Sequence, residues 1–307
     1  LASYAQERIW LDQQIRFDSK KELAIYNIPL LIQVTSATLS MNRLRRALSI
    51  IMEKHSILRT SLKYDREERC LKQQIQPLVE ESPNYSFQFS KISTKDELEK
   101  ILLDEETNCD LFCLSKGLVF RCHLIHFYFT SDRINNDNAD NGYLLKKGDL
   151  ILLNFHHVAF DGSSAEFFLS ELHKAYVNER LERATLQYID YAQYEREMPM
   201  DKAREYWKQS LDGYEDPLQL PYDHTLSLST VRSGSGGSIR FELDKDIVES
   251  ILNISTTTSA TLFQLLLTNY YLFLFKLTKR TDLCVGSVNA NRFRSELQSL
   301  VGTTTFI

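Results

Sequence analysis

The stretch "NFHHVAFDGSSAEFF", residues 154–168, joins two segments of different periodicity. The residues that lead into it, "LILLNF" (150–155), form a continuous apolar run, which is typical of a strand buried on both faces. After Gly162, residues 163–180 have the spacing of an amphipathic helix. A buried strand that leads into a helix indicates an α/β fold, and such junctions often carry catalytic groups in open α/β sheets. The stretch is therefore both the marker of the fold and the candidate site.

The same alternation of helices and strands extends along the chain in both directions from this stretch. The patterns predict helices over 1–15, 40–55, 93–108, 201–211, 245–253 and 259–277. They predict strands over 27–36, 117–130, 237–243 and 283–290, and a hairpin over 59–65 and 70–77. Ser93 and Ser259 are the expected helix caps. Segments 131–142 and 232–238 are expected to be loops, and a break near 180–188 predicts two α/β halves.

Composition excludes several classes of protein. Hydrophobic and charged contents of 43% and 25% in 307 residues are those of an ordinary globular protein of about two domains. A net charge of −5 argues against a nucleic-acid surface. Five scattered cysteines favour reduced thiols and a cytoplasmic location. We interpret the apolar segment 259–277 as a buried core helix, because Gln264, Thr268 and Asn269 interrupt it, and we expect no membrane span.

The two adjacent histidines are expected to have separate roles. Neighbouring side chains in an extended backbone point to opposite faces, so one of His156 and His157 should be buried and the other should face a cleft. The cleft histidine is a candidate general base. Adjacent spacing and the absence of nearby ligands at metal spacing argue against a metal site.

The acid and the glycine that follow leave alternatives open. Asp161 either orients a histidine or anchors the turn by pairing with a distant arginine or a backbone N–H; we favour the anchoring role. Gly162 permits unusual backbone angles and the close approach of a ligand, and the first N–H groups of the helix are candidate oxyanion donors. An Asp-Gly helix cap with two purely structural histidines explains the stretch equally well.

The stretch matches the HHxxxDG signature of nonribosomal peptide synthetase condensation domains, and other segments resemble the same family in order and spacing. HxxxDG alone also occurs in chloramphenicol acetyltransferase-like enzymes. The further matching segments are "SYAQERIW" (3–10), "AIYNIP" (24–29), "KHSILRTSL" (54–62), "YIDYAQY" (188–194), "EYWKQSL" (205–211), "LQLPYD" (218–223) and "DLCVGSVNANR" (282–292). The resemblance covers essentially the whole chain and stops within the family's next motif, where this chain reads "VGTTTFI".

The resemblance implies a fold and a reaction. The fold would be two chloramphenicol acetyltransferase-like α/β subdomains in a V-shaped pseudo-dimer, 1–178 carrying HHxxxDG and 179–307 incomplete, with a tunnel between them. Donor and acceptor carrier proteins, working beside an adenylation domain, would present an acyl thioester and an aminoacyl thioester on phosphopantetheine arms. The acceptor amine would attack the donor carbonyl to form an amide. The chain lacks an attachment serine of its own, so those arms would belong to the partners.

The resemblance also assigns roles to residues of this sequence. His157 corresponds to the catalytic histidine and His156 to a structural one. Gly162 corresponds to the residue whose backbone lies beside the reacting carbonyl. Asp161 corresponds to an aspartate with a structural role in a salt bridge; the first candidate partner is Arg292, which would pair across the two halves, and the second is Arg59.

Other functions remain open within and outside the family. Epimerisation domains and ester-forming or cyclising relatives carry the same motif. Heterocyclisation is disfavoured because it replaces the histidines with aspartates. A degenerate domain that only docks carrier proteins is favoured by the altered "GTTTF" motif and opposed by the intact His157 and Asp161. A plant-type alcohol acyltransferase is a further option, although its D-F-G-W-G motif is not seen.

Overall fold

The computed structural model describes most of the chain: residues 1–15, 23–36, 38–78, 85–128, 143–215, 218–221, 234 and 236–305. The predicted loop at 131–142, residues 232, 233 and 235 of the one at 232–238 and the end of "VGTTTFI" lie outside these residues. The described helices are α1 (Tyr4–Ile15), α2 (Met41–Lys54), α3 (Lys95–Thr107), α4 (Gly162–Tyr176), α5 (Tyr188–Glu197), α6 (Asp201–Ser210), α7 (Lys245–Thr258), α8 (Leu262–Thr278) and α9 (Ser295–Gln298). The described strands are β1 (Asn27–Gln33), β2 (Leu39–Ser40), β3 (Thr60–Asp65), β4 (Cys70–Ile75), β5 (Ser86–Ile92), β6 (Phe120–Phe127), β7 (Leu144–Leu145) and β8 (Leu150–His156).

A four-stranded sheet with the order β1-β8-β6-β5 carries the site. Strand β8 pairs antiparallel with β1 on one side and with β6 on the other, and β6 pairs parallel with β5. Every residue of β8 is buried, as the apolar run predicts for a central strand. The predicted hairpin is confirmed as β3 and β4, which pair antiparallel. Strand β5 was not predicted.

A cluster of phenylalanine rings fastens the end of β8 to the helix that follows. The Phe155 and Phe160 rings stack with centroids 3.8 Å apart, and the Phe168 ring of α4 meets Phe155 edge-on at 5.1 Å. Phe120 of β6 also stacks on Phe155, with ring centroids 4.8 Å apart. Since all four rings are buried, this cluster fixes the turn between β8 and α4 against the sheet.

Two of the predicted helix caps are wrong by one or two residues. Thr94, not Ser93, caps α3: its hydroxyl accepts the Glu97 N–H at 3.2 Å, and the Glu97 carboxylate accepts the Thr94 N–H in return. Thr261, not Ser259, caps α8 through the same reciprocal arrangement with Gln264. In both cases the residue three positions later decides the cap, because it must reach back to a free N–H.

The described residues fall into two compact units. One comprises the described parts of Leu1–Met198, Val231–Gly234 and Val288–Ile307, and the other comprises those of Pro199–Thr230 and Ser235–Ser287. Helix α5 and the last residues of the chain therefore belong to the unit that contains the sheet. These units differ from the predicted division into 1–178 and 179–307, which stays a prediction about the family's two subdomains.

The region 237–290, most of which belongs to the second unit, differs from the prediction in two respects. Within the described residues, 237–243 and 283–290 form no strand beyond one bridge position at Asn289, because no neighbouring strand pairs with them; Ile239 is 92% exposed. Helix α8 forms as predicted but is largely exposed, and Leu274 is its one buried residue.

No single described helix is long and apolar enough to cross a membrane; α7 and α8 pass that test only together, with a bend of 112° between them.

Candidate active site

The site is built on the turn between β8 and α4. Strand β8 ends at His156, whose carbonyl accepts the Ala159 N–H at 2.9 Å and so closes the turn. Helix α4 begins at Gly162. Phe160 lies within the turn and stacks on Phe155, so the short connection is held at its middle as well as at its ends.

His156 is the buried member of the histidine pair. Its side chain lies in the core, with 3% of the residue exposed, and the Phe112 ring meets it edge-on at 5.8 Å. The Val158 N–H donates to Nδ1 over 3.3 Å. Burial, and secondarily the neighbouring charge of His157, lowers the pKa of His156 to about 3. His156 therefore stays neutral at physiological pH and has no route to a substrate.

His157 is half-buried and lies at the surface of the turn. Its backbone N–H donates to the Tyr26 carbonyl at 2.8 Å, and its ring meets the Tyr26 ring edge-on with centroids 6.1 Å apart. Nδ1 is buried and has no hydrogen-bond partner among the described residues. The imidazole is therefore held by packing and by its backbone.

Asp161 is the centre of a buried polar network that anchors the turn. Its Oδ1 accepts hydrogen bonds from the Ser164 N–H at 2.9 Å, which caps α4, and from the Ser164 hydroxyl at 2.8 Å. Its Oδ2 accepts the Thr304 N–H at 3.1 Å and the Thr305 hydroxyl at 3.2 Å. Because both carboxylate oxygens are occupied in this way, the geometry supports the anchoring role rather than the orientation of a histidine.

Arg292 lies against Asp161, as the motif comparison predicted. Its Nη2 is 2.8 Å from Asp161 Oδ1, and the two side chains are 8% and 2% exposed. The guanidinium also donates to the carbonyls of Leu297, Leu300 and Gly302. Both partners belong to the first compact unit, so the pair closes the last segment of the chain onto α4 within that unit.

Ser164 joins the same network and was missed by the sequence analysis. Its hydroxyl accepts from Arg292 Nη2 at 2.9 Å and from the Gly302 N–H at 3.1 Å, and it packs at the start of α4. A serine three residues after an aspartate is a helix-capping pattern. That pattern indicates the contact with Asp161, but no local signal indicates contacts with residues that lie far away in the sequence.

Gly162 occupies a position different from the one predicted. It is the first residue of α4 and does not have a positive φ, so the expectation that it supplies an unusual backbone conformation is wrong. A Cβ built at this residue meets no atom within 4 Å. The space beside the Gly162 backbone is thus open, whereas the Ser164 N–H is already taken by Asp161 and is not free for an oxyanion.

Arg59, the second candidate partner of Asp161, lies elsewhere. Its Nε donates to the Met52 carbonyl at 3.1 Å and its Nη1 to the Gln76 carbonyl at 2.5 Å. Burial lowers its pKa from the ordinary arginine value, against a smaller opposing effect of Glu53. Arg59 therefore fastens the short helical turn Ser56–Arg59 to the end of β4 and takes no part in the network around Asp161.

A second buried polar cluster lies between α3 and the sheet. Glu105 pairs with Arg121 at 2.8 Å and with His123 Nδ1 at 2.7 Å, and His123 Nε2 is 2.8 Å from the Ser90 hydroxyl. Asn154 also donates to the Glu105 carboxylate. Glu105 lies on α3 and is 1% exposed. Because its partners lie on the strands, the cluster attaches α3 to the sheet. No group of three or more metal-binding side chains occurs in the described part of the chain.

Comparison with known proteins gives a match to one family model and to several synthases. The condensation-domain family model matches residues 139–306. One of the linear gramicidin synthase proteins of Brevibacillus parabrevis is 29% identical over 98% of this chain, and one of the plipastatin synthase proteins of Bacillus subtilis (strain 168) is 28% identical over 98%. The chain spans 6% and 11%, respectively, of those two relatives' lengths.

Solved structures agree on the fold. The condensation domain from monacolin K polyketide synthase superposes with a TM-score of 0.75 at 19% identity, covering 99% of this chain and 65% of that one. A four-domain nonribosomal peptide synthetase bound to AMP and glycine superposes with a TM-score of 0.76 at 19% identity, covering 99% of this chain and 21% of that one. The predicted chloramphenicol acetyltransferase-like α/β fold is thereby confirmed, while the V-shaped arrangement of two subdomains stays a prediction.

Proposed function

Since this chain belongs to the condensation-domain family of nonribosomal peptide synthetases, we propose that it forms an amide bond between two carrier-bound substrates. The donor is an acyl or peptidyl thioester and the acceptor is an aminoacyl thioester. Each is held on the phosphopantetheine arm of a carrier protein, and an adenylation domain of the same assembly supplies the acceptor amino acid. The acceptor nitrogen forms the new C–N bond, the donor C–S bond breaks, and the departing thiolate takes up the proton that the amine loses.

The half-buried imidazole of His157, at the exit from the buried strand β8, is the observation that carries the proposal. His157 is the histidine that remains accessible, because His156 is enclosed in the core. An imidazole at this place can accept the amine proton or hold the amine by a hydrogen bond. Since the α-amino group of an aminoacyl thioester has a pKa near neutrality, orienting the amine is as important as removing its proton. General base catalysis contributes about 10²–10⁴-fold.

The open space at Gly162 suits the donor carbonyl. A ligand atom can approach this backbone closely because no side chain or neighbouring group occupies the position of a Cβ. A Gly162→Ala variant would place a methyl group in that space and leave the fold intact. We expect it to lower the rate of amide formation by about tenfold, since a displacement of about 1 Å in a positioned substrate costs up to 10²-fold.

Amide formation by the full-length protein, measured by mass spectrometry with loaded carrier proteins, tests the proposal. We expect His157→Ala to lose about 10²-fold or more of the activity while its thermal unfolding is unchanged. His173→Ala is the matched control, because His173 is an exposed histidine on α4. Wild-type activity in His157→Ala would contradict the catalytic assignment.

The same assay separates the other functions. An epimerised or an ester product in place of the amide would identify a different reaction at the same site. Binding of loaded carrier proteins with no product from the wild-type protein would identify a docking domain without catalysis.

A further inference from the structure

In the described part of the chain, no group makes with His157 Nδ1 the hydrogen bond that usually orients a catalytic histidine. In acid–histidine arrangements, a carboxylate or a backbone carbonyl binds Nδ1–H and fixes both the tautomer and the ring plane. Here Nδ1 is buried and has no hydrogen-bond partner among the described residues. The nearby carboxylate of Asp161 is bound to Ser164, Arg292 and Thr304. Some other group must therefore hold the ring.

Tyr26 makes two separate contacts with His157. The residue after it, Asn27, is paired with His156 in the antiparallel ladder between β1 and β8, so Tyr26 lies opposite His157 just beyond the ladder. Its carbonyl accepts the His157 N–H at 2.8 Å. Its ring meets the imidazole at an interplanar angle of 83°, an edge-on geometry that aromatic pairs favour.

The Tyr26 ring is itself fixed from a third element. Its hydroxyl donates to Asp12 Oδ2 of helix α1 at 2.6 Å. This bond holds the far end of the ring, so Asp12 contributes to fixing the direction in which the Tyr26 ring lies. A continuous set of contacts thus leads from α1 through the tyrosine ring to the turn after β8.

We propose that Tyr26 is the positioning residue for His157 and that Asp12 holds Tyr26 in place, an inference that rests on the proposed function of His157. The Tyr26 ring restricts the plane of the His157 imidazole, as a carboxylate does in an acid–histidine pair.

The test combines kinetics with ¹⁵N NMR of the histidine rings in the full-length protein. Tyr26→Leu removes the aromatic edge, and we expect a fall in kcat of about tenfold with KM nearly unchanged, together with shifted His157 ring resonances. Tyr26→Phe keeps the ring but loses the hydrogen bond to Asp12, so both signals should lie between those of the wild type and those of Tyr26→Leu. Phe112→Leu is the matched control, because Phe112 meets the ring of His156 instead of His157. It should leave the His157 resonances and kcat unchanged.

Two outcomes would overturn the inference. One is a Tyr26→Leu protein with wild-type His157 resonances and wild-type kcat; the other is a Tyr26→Phe protein as impaired as Tyr26→Leu. If Tyr26→Leu does not fold, Tyr26→Met fills a similar volume without an aromatic edge and replaces it. The resonances are read without turnover, so a failure of the proposed function, seen as full activity in His157→Ala, is distinguishable from a failure of the positioning role.

Discussion

His156 and His157 are neighbours in the chain with opposite surroundings, and this difference decides which of them can do chemistry. His156 continues the alternation of β8 into the core, where burial lowers its pKa to about 3. His157 begins the turn and is half-buried. The alternation of side chains along a strand predicted this difference in burial, but not which histidine would be buried.

The lowered pKa of His156 predicts a loss of stability in mild acid. Below about pH 6.5 the unfolded chain protonates this histidine while the folded protein does not, down to a pKa of about 3. The free energy of unfolding should therefore fall as the pH drops through this window, by about 1–2 kcal/mol between pH 7 and pH 5. Urea unfolding at a series of pH values measures it. In His156→Asn, this part of the pH dependence of the free energy of unfolding should be absent. The same pH dependence in the wild type and in the variant would contradict the lowered pKa of His156.

The network around Asp161 predicts a folding defect rather than a purely catalytic one. Asp161→Ala leaves the buried guanidinium of Arg292 without its counter-charge, which costs about 3–5 kcal/mol. Asp65→Ala is the matched control: Asp65 also pairs with a cation, Lys72, but on the surface, where such pairs contribute about 0–1 kcal/mol. Thermal unfolding measures both variants. An Asp161→Ala protein that melts normally but makes no amide would instead indicate a direct catalytic role.

Among the elements, the last segment of the chain is held against α5 by one close approach. Gly302 has a φ of +149°, and a Cβ added to it would lie 2.1 Å from Cδ2 of the Tyr188 ring. That ring cannot move aside freely, because it is fully buried and its hydroxyl is bound to Ser3 and to the Thr303 carbonyl. The segment that carries Gly302 can therefore reach α4 only because this residue has no side chain.

Two glycine substitutions test that conclusion as a pair. Gly302→Ala should destabilise the protein by about 3 kcal/mol or more, through overpacking and backbone strain. Gly162→Ala, at a helical position with open space, should leave stability unchanged or raise it by about 0.4–1 kcal/mol. Equal melting temperatures for the two variants would show that the last segment does not depend on this contact.

The elements that the sequence predicted well are those whose signals are local. The periodicity of α2 and the apolar run of β8 are properties of consecutive residues, and both elements lie where they were expected. Residues 237–243 have the composition of a strand but pair with no neighbour that the structure describes, and a strand depends on its partner as much as on its own residues. The Asp161–Arg292 pair was found only because both residues lie in recognisable motifs. The contacts of Ser164 with Gly302 had no such marker.

At the scale of the whole molecule, the two compact units are unequal in their packing. The unit that holds the sheet buries a large continuous core, which includes the phenylalanine cluster and the apolar face of α2. In the other unit, α6 and α7 have no buried residue and α8 has one, Leu274. The sequence predicted α8 as a core helix from its composition, yet composition cannot say whether another element covers it.

The exposed side of α8 predicts self-association of the 307-residue chain. Phe263, Leu266, Tyr270 and Phe273 recur at helical spacing on one side of α8 and are 61%, 48%, 47% and 57% exposed, respectively. Contiguous apolar patches beyond a few hundred Å² are uncommon on soluble monomers and promote association, so we expect oligomers that grow with protein concentration. Sedimentation velocity and light scattering over a concentration series measure this directly.

Charged substitutions locate the surface that associates. The double variant Leu266→Glu, Phe273→Glu should shift the chain to a monomer. The free energy needed to bury two carboxylates in a contact between copies exceeds the free energy that the apolar contact contributes. Leu103→Glu is the control, since Leu103 is 60% exposed on α3 of the other unit and should leave association unchanged. A wild-type chain that is monomeric at every concentration would refute the expectation. Association that survives the double substitution would place the contact on another surface than α8.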